Sequence, residues 1–226
     1  MGEIILKATN IYKSYDNGER NLPVLNDLSI QVEKNQIITI TGQSGSGKST
    51  LLNILGSLDK PDSGAVEIDG FNILSLNNDE IAKIRNEKIG FVFQFHHLLS
   101  EFTALENVLM PTWIGKSKPE KKEEAMGLFE ELDLSSKIDC YPNQLSGGER
   151  SRVALLRAII NKPKILLADE PTGNLDEQNA LMLIELLKKI NKDFNQSIII
   201  TTHNPDVAKL GYSIYNLKNG VLKTIR

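Results

Sequence analysis

The sequence predicts an α/β fold: a mostly parallel sheet covered by helices, with a smaller antiparallel sheet ahead of it and a helical insert within it. Three observations carry this. Short runs rich in isoleucine and valine alternate with helical patterns along the 226 residues, as strands buried on both faces and joined by helices require. The stretches around Ile4 to Ala8, Leu28 to Val32 and Ala65 to Ile68 alternate more, as strands with one face in water do. Between Gln94 and about Ile160 the pattern turns helical.

The first buried strand is Gln36 to Thr41, and Leu51, Leu52, Leu55 and Leu58 mark the inward face of a helix shortly after it. Ile89 to Phe93 is the next buried strand. In the insert, Thr103-Ala104-Leu105-Glu106 has the form of a capping box, in which the hydroxyl and the carboxylate satisfy free amides at a helix start. Pro111 is expected to limit that helix. A second helix is expected from about Pro119, with Ala125, Leu128, Phe129 and Leu132 on one face and a solvated face of Lys121, Lys122, Glu123 and Glu130 opposite. Ile165 to Ala168 and Ser197 to Thr202 supply the remaining buried strands. No linker is long enough to separate independent units. The chain reads as one domain, 1–226, with a nucleotide-binding-type core from 1–93 and 161–226 and a helical subdomain at 94–160.

Composition narrows the function. Hydrophobic residues at 40% and charged residues at 24% exclude collagen-like and wholly disordered chains. A formal charge of −3 argues against a bulk binder of nucleic acid. Cys140 is the one cysteine, so there is no internal disulfide, and a reducing compartment fits. The longest apolar run is five residues, Ala180 to Ile184, whereas a membrane span needs about 20; direct membrane insertion is not expected.

The chemistry starts at Gly42-Gln43-Ser44-Gly45-Ser46-Gly47-Lys48-Ser49-Thr50, a Walker A loop set between strand and helix. Its glycines let backbone amides turn toward the β- and γ-phosphates of a nucleotide, and the helix directs its positive end at the same oxygens. Lys48 supplies a point charge and Ser49 a hydroxyl for Mg²⁺. The second half of such a site is an acid ending an apolar strand, and Ile165-Leu166-Leu167-Ala168-Asp169-Glu170 provides it. Asp169 is expected to hold the metal. Glu170, turned to the other side, is placed to take a proton from an attacking water. With Pro171 and Thr172 following, the bland alternative for this acid pair is a helix cap.

Leu145-Ser146-Gly147-Gly148-Glu149 resembles the signature motif of the ATP-binding cassette (ABC) ATPases. Physically it is a second helix start with a hydroxyl and exposed amides. One site does not need two such termini, so Ser146, Gly147, Gly148 and Glu149 are expected to close over the nucleotide of a second copy. The resemblance implies a P-loop NTPase (RecA-like) core with an N-terminal antiparallel β-subdomain and an inserted α-helical subdomain, binding ATP and Mg²⁺. It further implies that Gln94 touches metal and water, that Asp176 belongs to the D-loop Asn174-Leu175-Asp176, and that His203 contacts the γ-phosphate and orients Glu170. Tyr15 is matched to the aromatic that stacks on adenine; its bland alternative is an edge-strand aromatic. Asn174-Leu175-Asp176, preceded by Pro171-Thr172-Gly173, is the wording of a branch that includes lipoprotein-releasing, macrolide-export and cell-division ATPases.

Phe93-Gln94-Phe95-His96-His97-Leu98-Leu99 is most similar to the lipoprotein-releasing members. Adjacent histidines are poorly spaced for one metal, so His96 and His97 are read with Phe95 to Leu99, and the following Phe102-Thr103-Ala104, as a surface for membrane subunits. The wording departs from the family at Ser151, where glutamine is commoner, at Leu155-Leu156 and at Thr112-Trp113. The expectation is an ATP-hydrolysing homodimer beneath integral-membrane transporter subunits, at the cytoplasmic face of the inner membrane, with no nucleic-acid partner and no appended regulatory domain. A cell-division ATPase shares the catalytic wording. A soluble cassette acting on DNA or the ribosome is the more distant alternative.

Overall fold

Sequence period and burial agree in the four buried strands expected of the larger sheet, whereas its last two strands in the chain, Ser213–Lys218 and Val221–Thr224, lie outside that expectation and are only partly buried. The computed structural model describes residues 2–16, 18, 20–114 and 120–226, and the expected helix start at Pro119 lies outside them. At the centre of the sheet are β3 (Ile37–Thr41), β7 (Ile165–Asp169) and β8 (Ser197–Thr202). Ile38, Ile40, Leu167 and Ile199 face one buried cluster, and Ile37, Leu166, Ala168, Ile198 and Ile200 face another. Successive side chains therefore enter opposite cores, which is why these strands read as continuous apolar runs. With β6 (Ile89–Phe93), β9 (Ser213–Lys218) and β10 (Val221–Thr224), the order is β10-β9-β3-β8-β7-β6. Only β10 is antiparallel to its neighbour.

The alternating segments form the second sheet, β2-β1-β4-β5, from β1 (Ile4–Asp16), β2 (Asn21–Glu33), β4 (Ser63–Ile68) and β5 (Phe71–Asn72). Leu6, Ala8, Leu28, Ile30, Val32 and Ile68 place its buried face on the cluster that also holds Leu51, Leu52 and Leu55 of α1 (Lys48–Leu55). Beside this core runs α2 (Asn78–Lys88), begun by an Asn77–Glu80 capping box.

The other core is helical. It gathers α3 (Ala104–Trp113), α4 (Glu120–Glu131), α5 (Gly147–Ile159) and α6 (Glu177–Phe194) around Phe129, which is fully buried. Burial of one such side chain contributes about 1.5–3 kcal/mol. The expected Thr103–Glu106 capping box is present. Three of the four helices lie between β6 and β7, and a short α7 (Pro205–Ala208) follows β8.

Several local expectations are corrected. Pro111 does not end α3, which continues to Trp113; so near the helix end it forfeits little of the hydrogen-bond ladder, and its carbonyl accepts from Asn161 Nδ2 at 3.2 Å. Leu58 is not on the inward face of α1. The helix closes at Gly56, whose N–H reaches Leu52 O at 2.8 Å, and Leu58 is 48% exposed. Lys121 is not simply solvated, since its ammonium reaches Ile160 O at 2.8 Å and Glu124 Oε2 at 2.8 Å. Among the described residues no helix is long and apolar enough to cross a membrane.

Candidate nucleotide site

The carboxyl ends of β3, β7, β8 and β6 converge, the edge at which parallel sheets place ligands. After β3 the chain turns through Gly45 (φ 77°) and Gly47 (φ 100°). A Cβ on Gly47 would meet Val24 Cγ1 at 3.0 Å in addition to the unfavourable backbone angle, so glycine is required there on two counts. Gly47 then caps α1 without a side-chain hydrogen bond, and the first turn of α1 carries no acidic residue. Its amides are thus directed at whatever anion enters.

Lys48, only 7% exposed, folds back over the loop. Its Nζ donates to Gly42 O at 2.9 Å and Gln43 O at 3.1 Å and stands 3.5 Å from Glu170 Oε1. The Ser46 hydroxyl is buried without a hydrogen-bond partner. The acid pair after β7 diverges as expected. Asp169 accepts from the Thr201 hydroxyl of β8, whereas Glu170 turns the opposite way at φ 45°. That backbone angle is uncommon for a residue with a Cβ and belongs to over-determined positions. Here Glu170 N–H donates to Thr201 O at 3.0 Å and Glu170 O accepts from Gly173 N–H at 2.9 Å.

The Glu170 carboxylate also accepts from the His203 backbone N–H at 3.1 Å and pairs with His203 Nδ1 at 2.9 Å. Facing it, Gln94 is crosslinked to Asn174: Asn174 Nδ2 donates to Gln94 O at 3.0 Å and Gln94 Nε2 to Asn174 Oδ1 at 3.4 Å. A side chain on Gly173 would meet Gln94 Nε2 at 2.8 Å. At the far wall the Tyr15 hydroxyl donates to Asp59 Oδ2 at 2.7 Å, with the Lys13 ammonium 5.0 Å from the ring centre. Burial raises the Tyr15 pKa, and its bond to Asp59 adds to this. The phenol therefore stays neutral.

These groups line a cavity of about 710 Å³, within the range of small-molecule sites. Of the expected residues, Tyr15, Gln43, Ser44, Gly45, Gly47, Lys48, Ser49, Thr50, Gln94, Glu170 and His203 line it. Gly42, Ser46 and Asp169 are not among its lining residues, and Ser46 instead lines an adjoining cavity with Gln43, Ser44 and Gly45. Ser146, Gly147, Gly148 and Glu149 are not brought to it; they form the start of α5, where Ser146 Oγ accepts from Glu149 N–H at 3.2 Å and Glu149 Oε2 from Ser146 N–H at 2.7 Å. The Ser146 hydroxyl proton remains free to donate outward. Asp176 likewise caps α6 through Asn179 N–H at 2.8 Å. Val24 of β2, also on the cavity wall, has no short motif to announce it. Thr201 did have a signal, as a polar side chain in an isoleucine-rich strand.

The residues fit the expected groups. Uncapped amides at α1, the buried Ser46 hydroxyl and the Lys48 cation suit an anion with several oxygens. The Ser49 hydroxyl, the Gln94 amide and Asp169 are hard oxygen donors of the kind Mg²⁺ prefers. The sequence profile of the ABC transporter family matches residues 25–173.

The chain belongs to the ABC transporter family.

It is an ATPase of that family and binds nucleotide. Similar curated relatives include the lipoprotein-releasing system ATP-binding protein LolD of Saccharophagus degradans, 46% identical over 223 residues and 98% of each chain. LolD 2 of Chlorobaculum tepidum is 46% identical over 228 residues, covering 97% of this ABC ATPase and 92% of the relative. Among solved structures, the dimeric bacterial ABC transporter cassette MJ0796 matches with a TM-score of 0.89 at 40% identity, over 98% of this chain and 99% of that one. A dimeric post-hydrolysis state of that cassette, bound to ADP and Pi, matches with a TM-score of 0.89 at 39% identity.

Proposed function

We propose that this ABC ATPase powers the release of lipoproteins from the inner membrane, as a homodimer held at the cytoplasmic face by integral-membrane subunits. The observation that carries the hydrolytic reading is the Glu170 carboxylate, held by His203 and 3.5 Å from the Lys48 ammonium in the cavity lined by the phosphate loop. Full-length similarity to LolD proteins supports the choice of cargo. Residues 1–93 and 161–226 act as the nucleotide-binding core and 94–160 as the helical subdomain.

Tyr15 stacks on adenine, and the loop from Gly42 to Thr50 wraps the phosphates with its amides. Lys48 moves its charge from the loop carbonyls and Glu170 to the β- and γ-phosphate oxygens. That frees Glu170 to accept a proton from water as the water oxygen bonds to the γ-phosphorus and the bond to ADP breaks. His203 holds the carboxylate in place. Ser49, Gln94 and Asp169 are the residues that would hold Mg²⁺, which offsets phosphate charge. Ser146 to Glu149 and Asp176 complete the site of the second copy.

Phe95 (66% exposed) and Leu99 (43%) supply apolar surface on the segment that follows Gln94 for a membrane subunit. The surface is narrower than expected, since His96 turns inward to Ser151, Leu98 packs on the helical core and Ala104 is buried within it. The test is reconstitution of the purified complex in lipoprotein-loaded proteoliposomes. ATP-dependent release that is lost with Phe95→Glu or Leu99→Glu, while those variants keep their fold, is expected. A complex that hydrolyses ATP without releasing lipoprotein overturns the cargo assignment.

A further inference from the structure

The segment following Gln94 is fastened to α5 at three points. Arg157 donates from Nη1 to His97 O at 2.6 Å and from Nη2 to His96 O at 2.7 Å, gripping two successive carbonyls. His96 Nε2 lies 2.7 Å from Ser151 Oγ. The Ser151 hydroxyl donates to Gly147 O at 3.1 Å. A hydroxyl has one proton, so with the imidazole proton on Nε2 Ser151 Oγ accepts from His96 while its own O–H donates to Gly147 O, and the series runs from His96 to Gly147. Ser151 is 2% exposed and His96 half-buried, so water does not readily replace either partner. A serine matters here, because a longer side chain at this turn of α5 would occupy the space the imidazole fills.

The two ends of the series have separate duties. Gln94, two residues before His96, lines the cavity of its own chain. Gly147 opens α5 next to Ser146, outside that cavity. We infer that the His96–Ser151–Gly147 series, gripped by Arg157, ties the placement of the Gln94 segment to the placement of the signature end of α5, so that His96 and Ser151 are positioning residues for closure on the nucleotide of a second copy. This rests on the reading that Ser146 to Glu149 serves a second copy.

The test uses the full chain with Glu170→Gln, which halts turnover, and reads ATP-dependent dimer formation by sedimentation beside the ATP affinity of the monomer. His96→Ala and Ser151→Ala are each expected to weaken dimer formation about three- to tenfold, the range of one hydrogen bond, with monomer affinity changed by less than about twofold. The double variant is expected to be no more than about twofold worse than either single one, because both remove the same link. His96→Gln, which retains an N–H near the place of Nε2, is expected to restore dimer formation. Ser146→Arg in the same background separates the two levels. If it dimerises normally, the second-copy reading falls and the inference with it. If it is impaired while His96→Ala and Ser151→Ala dimerise normally, or lose only melting temperature, the inference alone is overturned. Losses that multiply in the double variant overturn it as well.

Discussion

Glu170 gathers three constraints into one side chain: a left-handed backbone, a cation 3.5 Å from one oxygen and His203 at 2.9 Å from the other. Its shape is thus set by neighbours that an amide would also satisfy in part, whereas its basicity would not survive the change. Glu170→Gln is expected to bind ATP as the parent does and to lose turnover by about 10²- to 10⁴-fold, the value of a positioned base. Steady-state hydrolysis alongside equilibrium nucleotide binding checks this, and a loss under about threefold removes Glu170 from the role. At the same scale, Asn107 has no chemical signal in its neighbouring residues. It is wholly buried, and its amide takes Leu99 N–H at 2.8 Å and reaches the carbonyls of Leu99, Phe102 and Thr103 within 3.0 Å. One side chain thereby satisfies the backbone of the loop leading into α3.

Among the elements, the helix starts carry a pH signature. Hydrogen bonding from the Thr103 amide lowers the Glu106 pKa below its usual 4.5, and the Ser146 amide does the same for Glu149, helped by Lys137. A carboxylate with a depressed folded-state pKa stabilises the fold fully above its unfolded value and loses that contribution as pH falls through the folded one. Melting temperature is therefore expected to hold above about pH 4.5 and decline below it, less steeply in Glu106→Gln with Glu149→Gln, where an uncharged amide still caps. A profile unchanged by the two substitutions would remove the caps as its source. Elements of this kind were legible because caps, loop and buried strands are written in neighbouring residues. The Thr103–Glu106 box, the strand preceding the phosphate loop and the divergence of Asp169 from Glu170 all follow from local chemistry. Leu58 is misread because Gly56 closes α1 ahead of it, whereas Pro111, Lys121 and His96 are misread because their environments are set by partners distant in sequence: Asn161, Ile160 and Ser151. No window of local sequence contains those contacts.

For the molecule as a whole, the separation of Ser146 from the cavity leaves, on the proposed pairing of two copies, neither half of the machinery complete in one chain. Lys48→Ala is expected to misplace nucleotide, and Ser146→Arg to spare binding but block closure. Mixing these two inactive proteins is expected to recover part of the hydrolysis, because one of the two sites in a mixed dimer pairs an intact phosphate loop with an intact signature. Absence of recovery across mixing ratios, with mixed dimers present, would reject shared sites. Strand order carries another consequence, for the growing polypeptide at the ribosome. The strand that launches the phosphate loop, β3, has as neighbours only β8 and β9, and Ile37 is opposite Ile198 and Ile38 opposite Ser213. At about 5–20 residues per second, the loop is synthesised roughly ten to thirty seconds before the strands that hold it. A nascent chain halted ahead of Ser197 would then display every residue of the Walker A loop and still fail to retain ATP, with chaperones meeting an open isoleucine-rich edge during the wait.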